Sequence, residues 1–241
     1  MSGPVVTPVL QLRGVRAGYD GVEVLRGVSL RIDTGELVTV VGPNGHGKTT
    51  LLHTISGLVP LRGGEIDLDG RPVGRQVHLT AARGVAHVPQ GDMLFAEMTV
   101  HENLLMGAYL CTDRMEVARR LDEVHTLLPK LAERRGQVVS TLSGGERRMV
   151  GIGRGLMMDA RILLIDEPSL GLAPLVIEQI YQVIAALGRS GRTILLVEEN
   201  PVRVADISDR MHLLDNGEFV WSGPPAELLA RDELIAAYLG G

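Results

Sequence analysis

Gly42-Pro43-Asn44-Gly45-His46-Gly47-Lys48-Thr49 has the spacing G-x-x-x-x-G-K-[ST] of a phosphate-binding loop. An apolar run, Val38–Val41, precedes it, and a helical pattern over Lys48–Ser56 follows it directly. Polyphosphate is held by many backbone N–H groups aimed at one place, and glycines let the chain curl without Cβ clashes. The positive end of the following helix adds to that field. Lys48 is placed to reach the β- and γ-phosphates, and the Thr49 hydroxyl to ligate Mg²⁺.

A second constellation lies far along the chain. Ile162-Leu163-Leu164-Ile165 reads as a buried parallel strand and ends in Asp166-Glu167. Open α/β sheets bind ligands at the carboxyl ends of their strands. After a phosphate loop, this acidic pair forms the second half of a nucleoside-triphosphatase site, with Asp166 holding Mg²⁺ through water and Glu167 orienting an attacking water.

Outward from these motifs, strands are predicted at Val9–Arg13, Val24–Ile32, Glu36–Val41, Glu65–Leu68 and Val85–Val88. From Val100 to Lys130 apolar residues recur at helical spacing, so a mostly helical subdomain is placed at 93–144. Helix Glu146–Met158, strand Arg161–Ile165, helix Leu175–Arg189 and strand Thr193–Val197 then alternate. A short helix near Val202–Ile207, strands Arg210–Leu214 and Glu218–Trp221 about an Asn216-Gly217 turn, and an amphipathic helix over Pro225–Leu239 finish the chain. This pattern predicts one α/β domain over 1–241, with a mostly parallel sheet in a P-loop ATPase core, an N-terminal antiparallel β subdomain and the inserted helices.

Composition narrows the partners. The chain has 241 residues and a net charge of −5, which argues against nucleic acid as a partner. No apolar run approaches the ~20 residues of a membrane span, so a cytoplasmic protein is expected. The lone cysteine, Cys111, is expected to be a small buried hydrophobe.

Between the two constellations stands Leu142-Ser143-Gly144-Gly145-Glu146-Arg147, a second anion-binding corner at a helix start. In the order phosphate loop, this string, acidic strand end, the whole chain resembles the ATP-binding subunit of an ABC transporter. The resemblance implies ATP and Mg²⁺ as ligands. It makes Tyr19 the aromatic that stacks on adenine, extends the phosphate loop to Thr50, and gives Gln90 a role in sensing Mg²⁺ and the γ-phosphate. Ser143, Gly144 and Gly145 would meet the ATP of a second ATPase subunit in a head-to-tail pair. Transmembrane permease subunits are implied as partners, with an external solute-binding protein acting through them, and Met93, Leu94, Phe95 and Met98 as the permease contact. The chain would then sit on the inner face of the membrane.

Asp166–Leu175, Leu195–Asn200, Met98–Met106 and the ending Ala237–Gly241 are similar to importers of branched-chain amino acids. A urea or short-chain amide importer and a soluble ATPase of the iron–sulfur assembly type remain as alternatives. Three positions depart from the family pattern. Leu172 stands where the stretch after the acidic pair normally ends in an aspartate, as the variant of this branch would have it. His46 replaces a small residue and is expected to be a tolerated loop side chain. Glu199 stands where the family carries a switch histidine, and an anion there cannot donate to a γ-phosphate. A weak own site and a different, histidine-bearing ATPase partner are therefore expected, with a homodimer as the alternative.

Overall fold

The computed structural model describes residues 7–231 apart from 74, 75 and 92, together with 233, 234 and 236. Two sheets organise it. β1 (Leu10–Tyr19), β2 (Val22–Ile32), β4 (Leu61–Leu68) and β5 (Arg71–Pro72) form an antiparallel sheet in the order β2-β1-β4-β5. β3 (Leu37–Val41), β6 (Val85–Val88), β7 (Ile162–Asp166), β8 (Ile194–Glu198), β9 (Arg210–Asp215) and β10 (Glu218–Gly223) form the second, in the order β10-β9-β3-β8-β7-β6. Only the β9–β10 hairpin is antiparallel in it.

Every residue of β3, β7 and β8 is buried, because this sheet is covered on both faces. Side chains alternate between two cores, as the period of a strand requires. Val38, Val40, Ile162, Leu164, Leu195 and Val197 join the antiparallel sheet and helix α1 (Lys48–Ile55). Leu37, Val41, Leu163, Ile165, Ile194 and Leu196 join a second core with α3 (Val100–Gly107), α4 (Arg114–Leu127), α5 (Pro129–Glu133), α6 (Gly144–Leu156) and α7 (Pro174–Arg189).

Local chemistry sets the helix starts. Thr99 with Glu102, and Ser143 with Glu146, form capping boxes at α3 and α6, and Asp113 caps α4. The expected α/β class, parallel sheet, antiparallel N-terminal sheet and inserted helices are all present.

Some boundaries differ from expectation. β1 runs past Arg13 because Gly14, at φ 56°, absorbs a register shift between Leu12 and Val15 and lets the strand resume. A short helix, α2 (Val77–Ala82), has no counterpart among the predicted elements, and in place of the helix near Val202–Ile207 stand two 3₁₀ turns, Pro201–Arg203 and Ala205–Ile207. The C-terminal helix is seen as α8 (Pro225–Leu229), while residues 232, 235 and 237–241, including the ending Ala237–Gly241, lie outside the described residues. Cys111 is half-exposed rather than buried, since it falls in the loop between α3 and α4. Among the described residues, no helix is long and apolar enough to cross a membrane.

Candidate nucleotide site

The loop Gly42–Gly47 leaves β3 at its carboxyl end and enters α1, with Gly45 at φ 83° and Gly47 at φ 107°. Both lie in the left-handed region, where a Cβ would be strained. Lys48 is 3% exposed, and its Nζ donates to the Gly42 carbonyl at 2.7 Å and the Pro43 carbonyl at 3.0 Å. Asn44 Oδ1 is a further partner at 3.5 Å. Thr50 is buried.

Parallel register brings the acidic strand end to the same edge: β3 pairs with β8, and β8 with β7. Lys48 Nζ then lies 3.1 Å from Glu167 Oε1, while Gln90 Nε2 donates to Glu167 Oε2 at 2.9 Å. The Thr49 hydroxyl donates to Asp166 Oδ1 at 3.3 Å. Gln90, Lys48, Thr49, Thr50 and Glu167 line one cavity of about 310 Å³ with Asn44, Gly45 and Gly47.

Electrostatics mark the same place. Burial pushes the Asp166 carboxyl up to about 6, against the hydrogen bond from Thr49, and the neighbouring Glu167 charge adds to the rise. Glu167 has φ 40°, a left-handed conformation that costs a non-glycine residue about 1–3 kcal/mol and recurs at functional sites. Behind the pocket, burial lowers the His53 imidazole and, with His53 beside it, pushes His87 down to about 4.

The other expected residues sit apart from this cavity. Tyr19, 45% exposed, points its hydroxyl at His53 Nδ1 on α1, 3.3 Å away. Ser143, Gly144 and Gly145 start α6, where the Ser143 hydroxyl donates to Glu146 Oε2 at 2.9 Å and accepts the Glu146 N–H at 3.4 Å. Ser143 and Gly145 line a different groove, beside α5 and α7. Glu199 is exposed just past β8, and its N–H donates to Glu198 Oε2 at 2.6 Å.

His46 is more than a loop side chain. Its Nδ1 lies 2.7 Å from Asp215 Oδ1 and 3.2 Å from the Asn216 N–H, and its carbonyl accepts the Gly217 N–H at 3.1 Å. The phosphate loop is thereby latched to the β9–β10 turn. Met93 and Phe95 are 73% and 45% exposed, with Leu94 and Met98 half-buried beside them.

Two residues escaped the sequence reading. Glu198 is 2% exposed and accepts from Ser169 Oγ, the Tyr181 hydroxyl and the Glu199 N–H, while Arg203 donates to Ser169 Oγ at 3.1 Å. A pair of glutamates at the end of a buried strand was the available signal. Arg148, buried on α6, donates to the Gly91 carbonyl at 2.8 Å and the Pro89 carbonyl at 3.5 Å, so it grips the backbone on both sides of Gln90. One of three arginines in an amphipathic helix, Arg148 gave no such signal.

A glycine-lined loop closed by a lysine, a hydroxyl and two carboxylates is the apparatus of nucleoside-triphosphate hydrolysis. The pattern of the ABC transporter family matches residues 25–170, and the chain belongs to that family. As a member of it, the chain binds and hydrolyses ATP.

Over 234 residues it is 41% identical to the high-affinity branched-chain amino acid transport ATP-binding protein BraG of Pseudomonas aeruginosa, covering 97% of this chain and 100% of that one. It is 37% identical to the probable branched-chain amino acid transport ATP-binding protein LivF of Archaeoglobus fulgidus, over 94% of this chain and 96% of the other. The lipopolysaccharide export system ATP-binding protein LptB of Escherichia coli is more distant, at 31% over 96% and 97%. Among solved structures, the ADP conformation of MJ1267, an ATP-binding cassette of an ABC transporter, matches with a TM-score of 0.85 and 25% identity, over 97% of this chain and 99% of that one.

Proposed function

We propose that this chain is the ATP-hydrolysing subunit of an importer for branched-chain amino acids, working from the inner face of the membrane through permease subunits. The observation that carries the solute class is the end-to-end similarity to BraG, 41% identity with 100% of that protein covered. We read 1–241 as one ABC ATPase domain with 93–144 as its helical subdomain. The exposed Met93 and Phe95, with Leu94 and Met98, form the surface that meets the permease, since methionines adapt to an apolar partner. An external solute-binding protein acts only through that permease.

Loop N–H groups from Gly42 to Thr50 and the Lys48 ammonium bind the β- and γ-phosphates, while Pro43, Asn44 and His46 shape the loop. Tyr19 stacks on adenine. The donors gathered beside them are hard oxygens, the Thr49 hydroxyl, the Gln90 amide and the Asp166 carboxylate, which suits Mg²⁺. Bound there, Mg²⁺ neutralises charge on the phosphates. Glu167 orients the attacking water and takes its proton, and Gln90 and Lys48 hold the carboxylate in place.

The separation of Ser143, Gly144 and Gly145 from the phosphate cavity supports a site shared between two ATPase subunits, each giving this corner to the other's ATP. Glu199 adds the choice of partner. Lacking a donor at that position, the chain pairs with a second ATPase subunit that supplies a histidine.

The test is reconstitution with the neighbouring permease and ATPase chains in vesicles carrying labelled leucine outside. ATP-driven uptake that is lost on Lys48→Ala supports the reading. Co-purification without a permease, or uptake of urea in place of leucine, overturns it. A light-scattering mass of a stable ATP-dependent homodimer with full turnover overturns the heterodimer.

A further inference from the structure

Behind the phosphate cavity, three metal-ligating side chains converge from three elements: His53 from α1, His87 from β6 and Asp166 from the end of β7. One ligand atom of each lies within 4.8 Å of the other two. The imidazole rings stand edge to face, with centroids 5.5 Å apart at 73°. His87 Nε2 and Asp166 Oδ2 are buried and have no hydrogen-bond partner. Leaving such an atom unsatisfied costs about 1–3 kcal/mol, so two on the side chains of one cluster call for a ligand.

The donor set names the ligand class. Two neutral imidazoles and a carboxylate suit Zn²⁺, Co²⁺ or Ni²⁺, whereas Mg²⁺ takes oxygen. We propose that His53, His87 and Asp166 form a binding site for a borderline transition-metal cation, Zn²⁺ above all, distinct from the magnesium position. Ligand atoms around tetrahedral Zn²⁺ stand about 3.2–3.5 Å apart at metal–ligand lengths near 2.1 Å, so the three side chains close by about an ångström through ring rotation. The Tyr19 hydroxyl at His53 Nδ1 supplies the outer hydrogen bond that orients a ligating imidazole, which leaves Nε2 for the ion.

Occupancy has a functional consequence, and this part rests on the magnesium role proposed for Asp166. Oδ1 of that carboxylate serves Thr49, while the transition metal takes Oδ2, so the ion competes for the group that holds Mg²⁺. It also holds the ring on which Tyr19 rests. Zn²⁺ would therefore slow hydrolysis even with Mg²⁺ in excess.

The test is a Co²⁺ titration of the full, nucleotide-free chain in excess Mg²⁺, read by visible absorption. One Co²⁺ per chain with the strong band of a four-coordinate ion, displaced by Zn²⁺, is expected. His53→Ala and His87→Gln each remove a direct ligand and should weaken binding more than about 100-fold, the upper end of what loss of an outer-shell partner costs. Thermal unfolding in chelator confirms that both variants are folded, and Asp166→Asn serves as a third variant if either is not. Absence of the band in excess Mg²⁺, or binding unmoved by both histidine variants, overturns the site. Zinc inhibition that His87→Gln relieves supports the shared carboxylate, whereas Co²⁺ binding without inhibition overturns that consequence and leaves the site standing.

Discussion

Glu167→Gln separates the structural and chemical duties of one side chain. The carboxylate has two donors on it, Lys48 Nζ at 3.1 Å from Oε1 and Gln90 Nε2 at 2.9 Å from Oε2. A glutamine amide has a single oxygen, so one donor must face an NH₂ group and one hydrogen bond is lost. At 3.1 Å and an effective dielectric of about 20 the lost charge attraction is about 5 kcal/mol, but the cost of burying both ions offsets most of it. The net loss is that of a charged hydrogen bond, about 2 kcal/mol. For a chain of this length that lowers Tm by roughly 4–8 °C without nucleotide. Turnover should fall about 10²–10⁴-fold once the water has no base. In Mg-ATP the variant keeps uncleaved ATP, which at about 100 Kd stabilises its folded state by about 2.7 kcal/mol, enough to lift it above the nucleotide-free Tm of the unmutated chain. Differential scanning fluorimetry with and without Mg-ATP, alongside phosphate release, reads all three effects. Turnover within threefold of the unmutated chain would falsify the role given to Glu167. An unchanged nucleotide-free Tm would remove the buried ion pair from the account.

Three further outcomes are expected. The Asp166 carboxyl is raised to about 6 in the fold against about 4 unfolded, so the folded state holds the extra proton between those values. Its contribution to stability is therefore lost as pH rises from about 4 to 6, by roughly 3 kcal/mol. Asp166→Asn should raise the nucleotide-free Tm at pH 7 and flatten that limb in denaturant titrations, and a lower Tm at pH 7 would contradict this account. A Cβ on Gly145 would stand 2.2 Å from Val176 Cγ1, so Gly145→Ala costs about 1–3 kcal/mol of overpacking in urea unfolding. Adding Val176→Ala should recover part of it, and failure to do so means the clash is elsewhere. The Ser169 and Tyr181 hydroxyls share Glu198 Oε1 and the Glu199 N–H takes Oε2, so Glu198→Gln sets an NH₂ group against one of these donors and should cost about 1–3 kcal/mol in the same assay. An unchanged midpoint would show that the network contributes nothing.

The phosphate loop and the acidic strand end were legible because both obey local rules. A glycine-rich turn between a strand and a helix, and acids at the end of an apolar run, need no tertiary knowledge. The class of sheet followed from the same alternation. What the sequence hid was contact across elements. His46 sits in the loop, yet its partner Asp215 is 169 residues away and is brought near only by the β3–β9 pairing. Arg148 reads as one more polar residue on a helix until α6 packs beside the Gln90 turn. Glu198 was passed over for its neighbour Glu199 because only a buried environment distinguishes them. Gly14 misled for the opposite reason. Glycine commonly ends a strand, and here it buys a bulge that continues one.

The central strands, walled by a core on each side, bear on how the molecule breathes. Amide protons exchange with solvent through local openings, and segments with apolar packing on both faces open last. β3, β7 and β8 are such segments: Asp166 ends β7 with Glu167 next to it, and the loop leaving β3 leads to Lys48 at the start of α1. The helices α3 to α5 lean on one core alone. Their amides are expected to exchange sooner than those of the central strands, so the slowest-exchanging amides and the residues around Lys48, Asp166 and Glu167 belong to one unit.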